Sequence, residues 1–310
     1  MKLSRLRHLV MVCETGTIRE ASRRLSLSQS SVTKSIRHLE EEMGVELLHR
    51  ASHGVTPTEA GRAVIERAKR IEAELRYARN DVDEIQGTRI GELRLAVSPS
   101  VAMTLLPRVV IGFARTRPKV TFHVDGGVYP DILRPLRAGE TDFAICLLPE
   151  PLRDEDLEIE LLFKDAVTPA VRQGHPLASQ RITMEVLAQQ KWVALRSGRS
   201  SRAVFVRTFA LAGVKEPENI IECNSFVSTL ALVAHGDYVT MVPRMLLEDP
   251  LAPSKLVPIE TTSMMPDWHV AVIYRAQTLL SPLGKAFLED LRKVVKQVLT
   301  PSDRPSKNSA

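Results

Sequence analysis

Five polar or basic residues lie close together between positions 29 and 37. They are Gln29, Ser30, Thr33, Lys34 and Arg37, and a helical repeat places them on one outer face. Glutamine can form two hydrogen bonds with adenine, serine and threonine fit several base edges, and lysine or arginine pairs with guanine or phosphate. This chemistry suits DNA binding, although an ordinary solvent-facing helix is the alternative when the face is taken alone.

Two shorter helices are predicted before this face. The apolar stripe of the first, at positions i, i+3, i+4 and i+7, is Leu6, Leu9, Val10 and Cys13. The second begins with a capping box, in which the Thr17 hydroxyl accepts the Glu20 amide and the Glu20 side chain reaches back. Its apolar face is Ile18, Ala21 and Leu25.

A third helix is predicted over Gln29–Met43, with Ser28 as its N-cap after the tight connection at 26–28. Its inward stripe is Val32, Ile36, Leu39 and Met43. Two helices joined by a turn of about three residues, with a polar and basic outer face on the second, form a helix-turn-helix.

The segment Val45–Thr56 predicts two short strands around a turn at His53-Gly54. Such a hairpin is a wing, and the residues expected to meet the DNA backbone or minor groove there are His49, Arg50 and His53. Histidine is also a metal ligand, but His38 and Glu42 form the one helical pair in this region and no further ligand converges on them. We therefore predict no metal site.

A long helix is predicted to follow, with Thr56 as N-cap, Pro57 at the first position and Glu59 closing a capping box. Its apolar residues recur in alternating steps of four and three at Val64, Ala68, Ile71, Leu75, Ala78, Val82 and Ile85. This heptad seam extends over about 32 Å at 1.5 Å per residue. It predicts self-association into a dimer; packing against the rest of the same chain is the alternative.

From Gly91 onward, β-like runs alternate with amphipathic helices, which predicts an α/β fold with a parallel sheet. The first strands are expected at Glu92–Ser98, Val120–Val124 and Asp142–Leu148, with helices at Met103–Arg115 and Ile132–Arg137. Strands for a second lobe are expected at Trp192–Leu195, Ile220–Cys223, Tyr238–Val242 and His269–Tyr274, and a terminal helix at Leu283–Val298.

Composition narrows the class of protein. The 310 residues carry a formal charge of +5, which is compatible with a nucleic-acid partner without requiring one. Three separated cysteines, Cys13, Cys146 and Cys223, predict buried thiols rather than a disulfide framework or a zinc site. The start of the chain does not resemble a signal peptide and no apolar run is long enough to span a membrane, so we expect a cytoplasmic protein.

No reactive constellation is visible in the sequence. It contains no Gly-x-Ser-x-Gly elbow, no glycine-rich phosphate loop and no His-Glu-x-x-His pair, so we predict no catalytic residue and no enzyme. A solute-binding protein with an appended N-terminal module is the second alternative. The missing export signal and the 90-residue N-terminal module argue against it.

Three segments together resemble the signature of LysR-type transcriptional regulators: TIREASRRLSLSQSSVTKSIRHLE (17–40), MGVELLHR (43–50) and VTPTEAG (55–61). The resemblance implies a winged helix-turn-helix (1–58), a dimerising linker helix (59–88), and a two-lobed effector domain like a type II periplasmic binding protein (89–300). We expect residues 301–310 to be a disordered tail. The resemblance further implies double-stranded promoter DNA as partner, a small-molecule co-inducer in place of a cofactor, and a tetramer; it leaves contact with RNA polymerase open.

The chain departs from the family pattern at three places. Ser30 and Ser31 stand where the family usually has Pro-Ala, Thr33 where it has Ser, and Leu48 where it has Phe. The first two departures bear on base preference, and the third is a core substitution of similar character.

The expected site residues fall into two groups. Those expected to contact DNA are Gln29, Ser30, Ser31, Thr33, Lys34, Arg37, Arg50 and His53. Those expected at the effector cleft, beyond the C-terminal strand ends, are Ser98, Ser100, Val101, Tyr129, Pro149, Ser197, Ser200, Arg202 and Phe226. Hydroxyls, an arginine and aromatic walls suit a small organic acid, such as an aromatic carboxylate or a sulfonate. Simple turn and N-cap roles are the alternative for each position.

Overall fold

A computed structural model describes residues 1–51, 54–87, 90–149, 153–178, 180–195, 198–250, 255–263, 265, 267–276 and 278–299, with the backbone alone for 198–204 and 267. His53, Ser197 and the tail at 301–310 lie outside these residues, as do the side chains of Ser200 and Arg202. The chain divides into two compact units. The first is Met1–Arg79 with Ala138–Glu140, and the second is Asn80–Arg137 with Thr141–Ala310.

The first unit is a helical bundle with a two-stranded hairpin. Its elements are α1 (Leu3–Thr15), α2 (Ile18–Leu25), α3 (Gln29–Met43), β1 (Leu48–Ala51), β2 (Gly54–Pro57) and α4 (Glu59–Ile85), whose last residues belong to the second unit. The predicted third helix and the predicted hairpin are confirmed. Val32, Ile36 and Leu39 of α3 are fully buried with Leu9, Val12 and Ala21.

Two local predictions for this unit are wrong. Met43 does not join the inward stripe; it is exposed, because it is the last helical residue before Gly44 and the core does not extend to it. The long helix begins at Glu59 rather than Pro57, because Thr56 and Pro57 pair with His49 and Leu48 in the hairpin. The Thr58 hydroxyl caps α4 instead, accepting the Gly61 amide at 2.9 Å.

The capping box of α2 forms only in part. The Thr17 hydroxyl accepts the Glu20 amide at 3.2 Å, as predicted. The Glu20 carboxylate, however, accepts from Arg23 and Arg24 on its own helix. These charge-assisted bonds compete with the weaker bond back to the cap.

The second unit is α/β. Its elements in chain order are β3 (Ile90–Val97), α5 (Pro99–Met103), α6 (Leu105–Thr116), β4 (Lys119–Gly126), α7 (Leu133–Ala138), β5 (Phe143–Leu148), β6 (Leu157–Arg172), β7 (Arg181–Ile182), α8 (Met184–Ala188), β8 (Trp192–Leu195), α9 (Gly198–Leu211), β9 (Ile220–Cys223), α10 (Phe226–His235), β10 (Thr240–Pro243), α11 (Arg244–Glu248), β11 (Leu256–Pro258), β12 (Glu260–Thr261), β13 (Asp267–Arg275) and α12 (Pro282–Leu299).

The main sheet has the order β10-β6-β13-β5-β3-β4, with β11 also pairing with β6. Strands β4, β3 and β5 are parallel, as predicted, but β13 and β6 join antiparallel. The sequence did not predict the 16-residue strand β6, and it placed His269–Tyr274 in the second lobe; that segment lies in β13, between β5 and β6. The error arises because His269 pairs with Lys164 and Leu148, partners far away in the sequence.

The second unit has two lobes with separate cores. The first lobe packs α5, α6 and α12 on one side of the sheet, around Phe113, Phe143 and Phe287. The second lobe packs around Trp192 and Phe209, with a further layer at Val233 and Val242. Strand β6 passes from one lobe to the other, because its first part pairs with β13 and its last part with β10 and β11.

The predicted helix over Met103–Arg115 is confirmed as α6, which begins two residues later, but the sequence did not predict the short helix α5 before it. Thr104 separates α5 from α6, and its hydroxyl donates to the Ser100 carbonyl at 2.7 Å. The same carbonyl also accepts the Thr104 amide at 3.1 Å, and such back-bonding by a threonine hydroxyl bends helices.

Candidate functional sites

Ser28 caps the start of α3 and so determines at which residue the helix with this outer face begins. The Ser28 side chain accepts the Ser31 amide at 3.1 Å, and its hydroxyl lies 2.9 Å from that of Ser30 and 2.7 Å from that of Ser31. These bonds satisfy a free amide of the first helical turn. The hydroxyls of Ser30 and Ser31 are therefore gathered at the helix start.

The side chains predicted to meet DNA share the outer face of α3. Gln29, Ser30, Ser31, Lys34 and Arg37 are exposed, and Thr33 is half-buried. Arg37 forms an exposed ion pair with Glu41 at 3.2 Å, which contributes little to stability. Its guanidinium can therefore exchange that partner for a phosphate or a guanine edge.

Glu40 connects α3 to the hairpin, and the sequence analysis did not identify it. One carboxylate oxygen accepts the Leu47 amide at 2.9 Å and the Leu48 amide at 3.3 Å, and the other lies 3.5 Å from Arg50. The signal available in the sequence was a carboxylate four residues after the buried Ile36, at the edge of the inward stripe, where a free charge would be costly. Glu40 thus positions both the start of β1 and Arg50.

Two glycines allow close approaches around the hairpin. Gly54 has φ +144°, and a Cβ there would lie 2.8 Å from the Gly16 carbonyl oxygen, which accepts the Val55 amide at 2.8 Å. A Cβ on Gly61 would lie 2.0 Å from the Leu47 carbonyl oxygen. The hairpin is therefore anchored on one side by the turn after α1 and on the other by α4.

The heptad seam of α4 divides into two parts. Ala68 is buried in the first unit and Val64 packs against the same core. Further along, Ile71, Leu75, Val82 and Ile85 are 38%, 36%, 51% and 84% exposed. A different stripe, Ala73, Tyr77 and Asn80, is buried within the chain itself. The seam thus leaves an apolar row on the surface of the single chain.

A cavity of about 200 Å³ lies between the two lobes of the second unit. Its walls are Ser98, Pro99, Ser100, Val128, Tyr129, Leu147, Val167, Ala194, Leu195, Phe205, Thr208, Phe226, Thr240, Met241, Pro243 and Trp268. The walls combine four aromatic rings with five hydroxyl groups, and none of these described residues is charged.

The residues predicted at the effector cleft are distributed unevenly. Ser98, Ser100, Tyr129 and Phe226 line the cavity. Val101 is fully buried in the core of the first lobe, and Pro149 is not part of the lining. Sequence reasoning missed Phe205, Thr208, Thr240, Met241 and Trp268, which come from different elements and reach one cavity only when the lobes are assembled.

The Ser98 hydroxyl has unused hydrogen-bonding capacity. Ser98 is 5% exposed, and its Oγ has no hydrogen-bond partner within the described residues, although it belongs to the cavity wall. A buried hydroxyl without a partner carries a desolvation cost that a polar ligand group can remove. Ser98 is therefore suited to bind the polar end of a ligand whose remainder lies among the rings.

The described part of the chain has neither a metal-binding cluster nor a membrane-spanning helix. It contains no group of three or more His, Cys, Asp or Glu residues able to hold a metal ion. None of its helices is long and apolar enough to cross a bilayer. Burial raises the pKa of the Cys13 thiol to about 11 and that of Cys146 to about 12, so neither forms a reactive thiolate near neutral pH.

Comparisons with known proteins cover both units. Residues 3–62 match the profile of bacterial regulatory helix-turn-helix proteins of the lysR family, and residues 86–296 match the LysR substrate binding domain. The regulator GalR of Pseudomonas putida is 27% identical over 94% of this chain and 74% of its own length. The SDS degradation transcriptional activation protein of a Pseudomonas species is 28% identical over 92% and 93%.

Solved structures share the fold over nearly the whole chain. A full-length OxyR variant from Pseudomonas aeruginosa superposes with a TM-score of 0.70 at 21% identity, covering 100% of this chain and 99% of its own. Full-length CbnR in complex with its target DNA superposes with a TM-score of 0.65 at 22% identity, covering 95% and 100%. With both family profiles matched in order, the chain belongs to the LysR family of DNA-binding transcriptional regulators.

Proposed function

We propose that this regulator binds operator DNA through the outer face of α3 and the β1–β2 wing, and that a small ligand in the interlobe cavity modulates that binding. The observation that carries the proposal is the α3 face, where exposed Gln29, Lys34 and Arg37 follow a helix start fixed by Ser28. Such a helix fits the major groove, where its first residues reach base edges. The related CbnR, solved with its target DNA, supports this assignment.

A titration of the full chain with its own upstream promoter fragment tests the DNA half of the proposal. Affinity should fall steeply with salt, because each neutralised phosphate releases counterions. Lys34→Ala should weaken operator and random DNA equally and lower the salt slope by about 1, whereas Arg37→Ala should reduce discrimination between them if Arg37 contacts a base. Lys215→Ala, which removes an exposed cation in the second unit, is the matched control. Absence of promoter retention at low salt would overturn the proposal.

We infer that the subunits associate along the exposed part of the α4 seam. Ile71, Leu75, Val82 and Ile85 would be covered by the same residues of a second copy, which places two recognition helices on one duplex. A tetramer built from two such dimers agrees with the earlier expectation from the resemblance. Dimerisation gives avidity, because a second half-site binds intramolecularly once the first is engaged.

The ligand we propose is a small aromatic compound with one polar or anionic end. The cavity of about 200 Å³ is below the roughly 300–1,000 Å³ of sites for larger ligands, so it suits a single ring. Tyr129, Phe226 and Trp268 would pack against the ring, and Ser98 and Ser100 would bond the polar end. The sequence analysis also expects Arg202 at this cleft, but its side chain lies outside the described residues.

Benzoate is a suitable first probe. Its binding can be measured by the change in Trp268 fluorescence, because Trp268 lines the cavity. Ser98→Ala should weaken benzoate binding several-fold and leave thermal stability unchanged or slightly raised, because the lost hydroxyl has no partner to lose. Ser281→Ala is the matched control, since that buried serine donates no group to the cavity and caps α12 through the Gly284 amide. Equal affinity in Ser98→Ala and the wild type would remove Ser98 from the site.

We further propose boundaries of 1–58 for the DNA-binding domain, 59–88 for the linker helix and 89–300 for the effector domain, in keeping with the matched ranges 3–62 and 86–296. A regulator of this kind acts on chromosomal DNA, so we propose a cytoplasmic location and no catalytic activity. Contact with RNA polymerase would follow if the protein activates transcription.

A further inference from the structure

Helix α11 packs on the cores of both lobes. Leu246 is buried in the core of the second lobe, and Leu247 packs against the same core. Met245, the residue before them, packs against the core of the first lobe. The reverse contact is made by Met103, which belongs to helix α5 of the first lobe and packs against the core of the second lobe. The lobes are thus joined by the contacts of α5 and α11 as well as by strand β6, which passes between them.

Polar contacts hold both ends of α11. At its start, both oxygens of Asp165, on the crossing strand β6, accept the Met245 amide at 3.3 Å. Directly after its end, the Asp249 carboxylate accepts two bonds from Arg108 of α6, at 2.5 and 2.8 Å. The Asp249 side chain is 6% exposed, so this bidentate pair is little screened by water or salt. Its hydrogen bonds raise the pKa of Arg108, which keeps the cation charged.

The same two helices adjoin the interlobe cavity. Ser98, Pro99 and Ser100, which begin α5, form part of its wall on the first lobe. Met241 and Pro243, which precede α11, form part of its wall on the second lobe. A change in the separation of α5 and α11 therefore changes the width of the cavity.

We propose that α11, held by Met103, Arg108, Asp165 and Asp249, is an interlobe clamp that fixes the width of the cavity and so sets the affinity for its ligand. The second part rests on the proposed function. A ligand that needs the lobes at one separation binds with its intrinsic affinity multiplied by the fraction of molecules whose lobes have that separation. Arg108 and Asp249 are positioning residues, since neither lines the cavity.

Hydrogen–deuterium exchange on the full chain, without ligand or DNA, tests the clamp directly. Arg108→Gln and Asp249→Asn should each speed exchange in peptides covering α5 and α11 by about tenfold, which corresponds to about 1.4 kcal/mol. The double variant should exchange no faster than the faster single variant, because both substitutions break the same pair. Unchanged exchange at α11 in both single variants overturns the clamp.

Arg292→Gln is the matched control. Arg292 of α12 forms a bidentate pair with Glu160 at 2.7 and 2.6 Å, but both residues belong to the first lobe. Its loss should leave exchange at α11 as in the wild type, and faster exchange there would show a general loss of stability instead of a clamp. If Arg108→Gln fails to fold, Arg108→Lys, which keeps the charge and one bond, should give an intermediate exchange rate, and a wild-type rate overturns the proposal.

Benzoate titration of the same variants tests the effect on affinity. The Kd for benzoate should rise about tenfold in Arg108→Gln and stay unchanged in Arg292→Gln. An unchanged Kd together with faster exchange at α11 overturns the link between clamp and affinity. Failure of the wild type to bind benzoate contradicts the proposed ligand class, and failure to retain promoter DNA contradicts the proposed function; in both cases the exchange experiment still decides whether the clamp exists.

Discussion

The two units of this regulator bury their apolar side chains by different routes. In the first unit, the core residues Val32, Ile36 and Leu39 lie one or two turns apart on a single helix, and α1 and α2 precede it at short intervals. In the second unit, Phe113, Phe143 and Phe287 meet in one cluster although they come from α6, β5 and α12. The first route depends on neighbouring segments, and the second on segments that are remote in sequence.

The functional sites follow the same division. The α3 part of the proposed DNA-contacting surface lies on one helix, so its members need only the correct helical phase, and the wing follows within a few residues. The cavity draws its wall from both lobes and the clamp from α5, α6, β6 and α11, so no single element contains either.

The largest expected effect is on the stability of the second unit. Phe287 is fully buried, and its ring centroid lies 5.6–6.1 Å from those of Phe113, Phe122 and Phe143. Phe287→Ala should lower the free energy of unfolding by about 3–5 kcal/mol. Trp192 and Trp268, the only tryptophans, lie in this unit, so urea unfolding followed by their fluorescence measures it. Phe287→Leu, which keeps most of the volume, should cost clearly less; a loss below about 1 kcal/mol in Phe287→Ala would show that this distant cluster is not central.

The next largest effect is expected at the α4 seam, where the apolar residues of one helix are proposed to pack against a second copy of the chain. Leu75→Glu places a charge in the proposed interface, and sedimentation equilibrium should show a shift toward monomer. Operator affinity should fall by about 100-fold or more, since the two half-sites are no longer linked. Glu74→Ala, one residue away and off the seam, should change neither quantity. A dimer that survives Leu75→Glu would assign this stripe to another role.

Glu40 should have a smaller effect on DNA binding. Glu40→Ala removes the acceptor of the Leu47 and Leu48 amides and frees Arg50, so operator affinity should fall about tenfold, or about 1.4 kcal/mol. Helix content by circular dichroism should be retained. Glu41→Ala is a control of opposite sign, because it removes an exposed carboxylate beside Arg37 and should raise affinity for phosphate. Equal losses in both variants would mean that Glu40 does not act through the wing.

The smallest effect concerns Asp165 and pH. Burial raises its pKa from 3.8 to about 6, although backbone amides of Met245 and Ala166 oppose the shift, with Glu248 and Arg244 adding smaller effects. Between these two values the folded state binds more protons than the unfolded state, so this group's contribution to stability is present below about pH 4 and is lost as pH rises through 6.

Asp165→Asn should therefore remove one source of pH dependence. The stability of the wild type relative to this variant should be lower at pH 7.5 than at pH 4.5, by on the order of 1 kcal/mol. Urea unfolding at the two pH values measures the difference, and other titrating groups cancel between the two proteins. A difference that does not vary with pH would mean that the carboxylate is as well solvated as in the unfolded chain.

The sequence determined those features whose hydrogen bonds and packing are local. The limits of α3, its Ser28 cap, the wing hairpin, the exposed row on α4 and the parallel strands β3–β5 were all predicted, because helical periodicity, capping and short strands leave their pattern within a few residues. Local predictions were wrong where two neighbouring elements compete for the same residues. Thr56 and Pro57, predicted at the start of α4, pair instead with His49 and Leu48 in the hairpin.

Tertiary structure alone decided which distant segments meet. Strand β13 belongs to the first lobe because its residues pair with distant strands, as His269 does with Leu148 and Lys164. Trp268 and Met241 line the cavity because the two lobes pack against each other. The pair of Arg108 with Asp249 is of the same kind. The alternation of a strand shows which side chains share a face, but the choice of its partner strand depends on the free energy of the assembled sheet, to which the whole unit contributes.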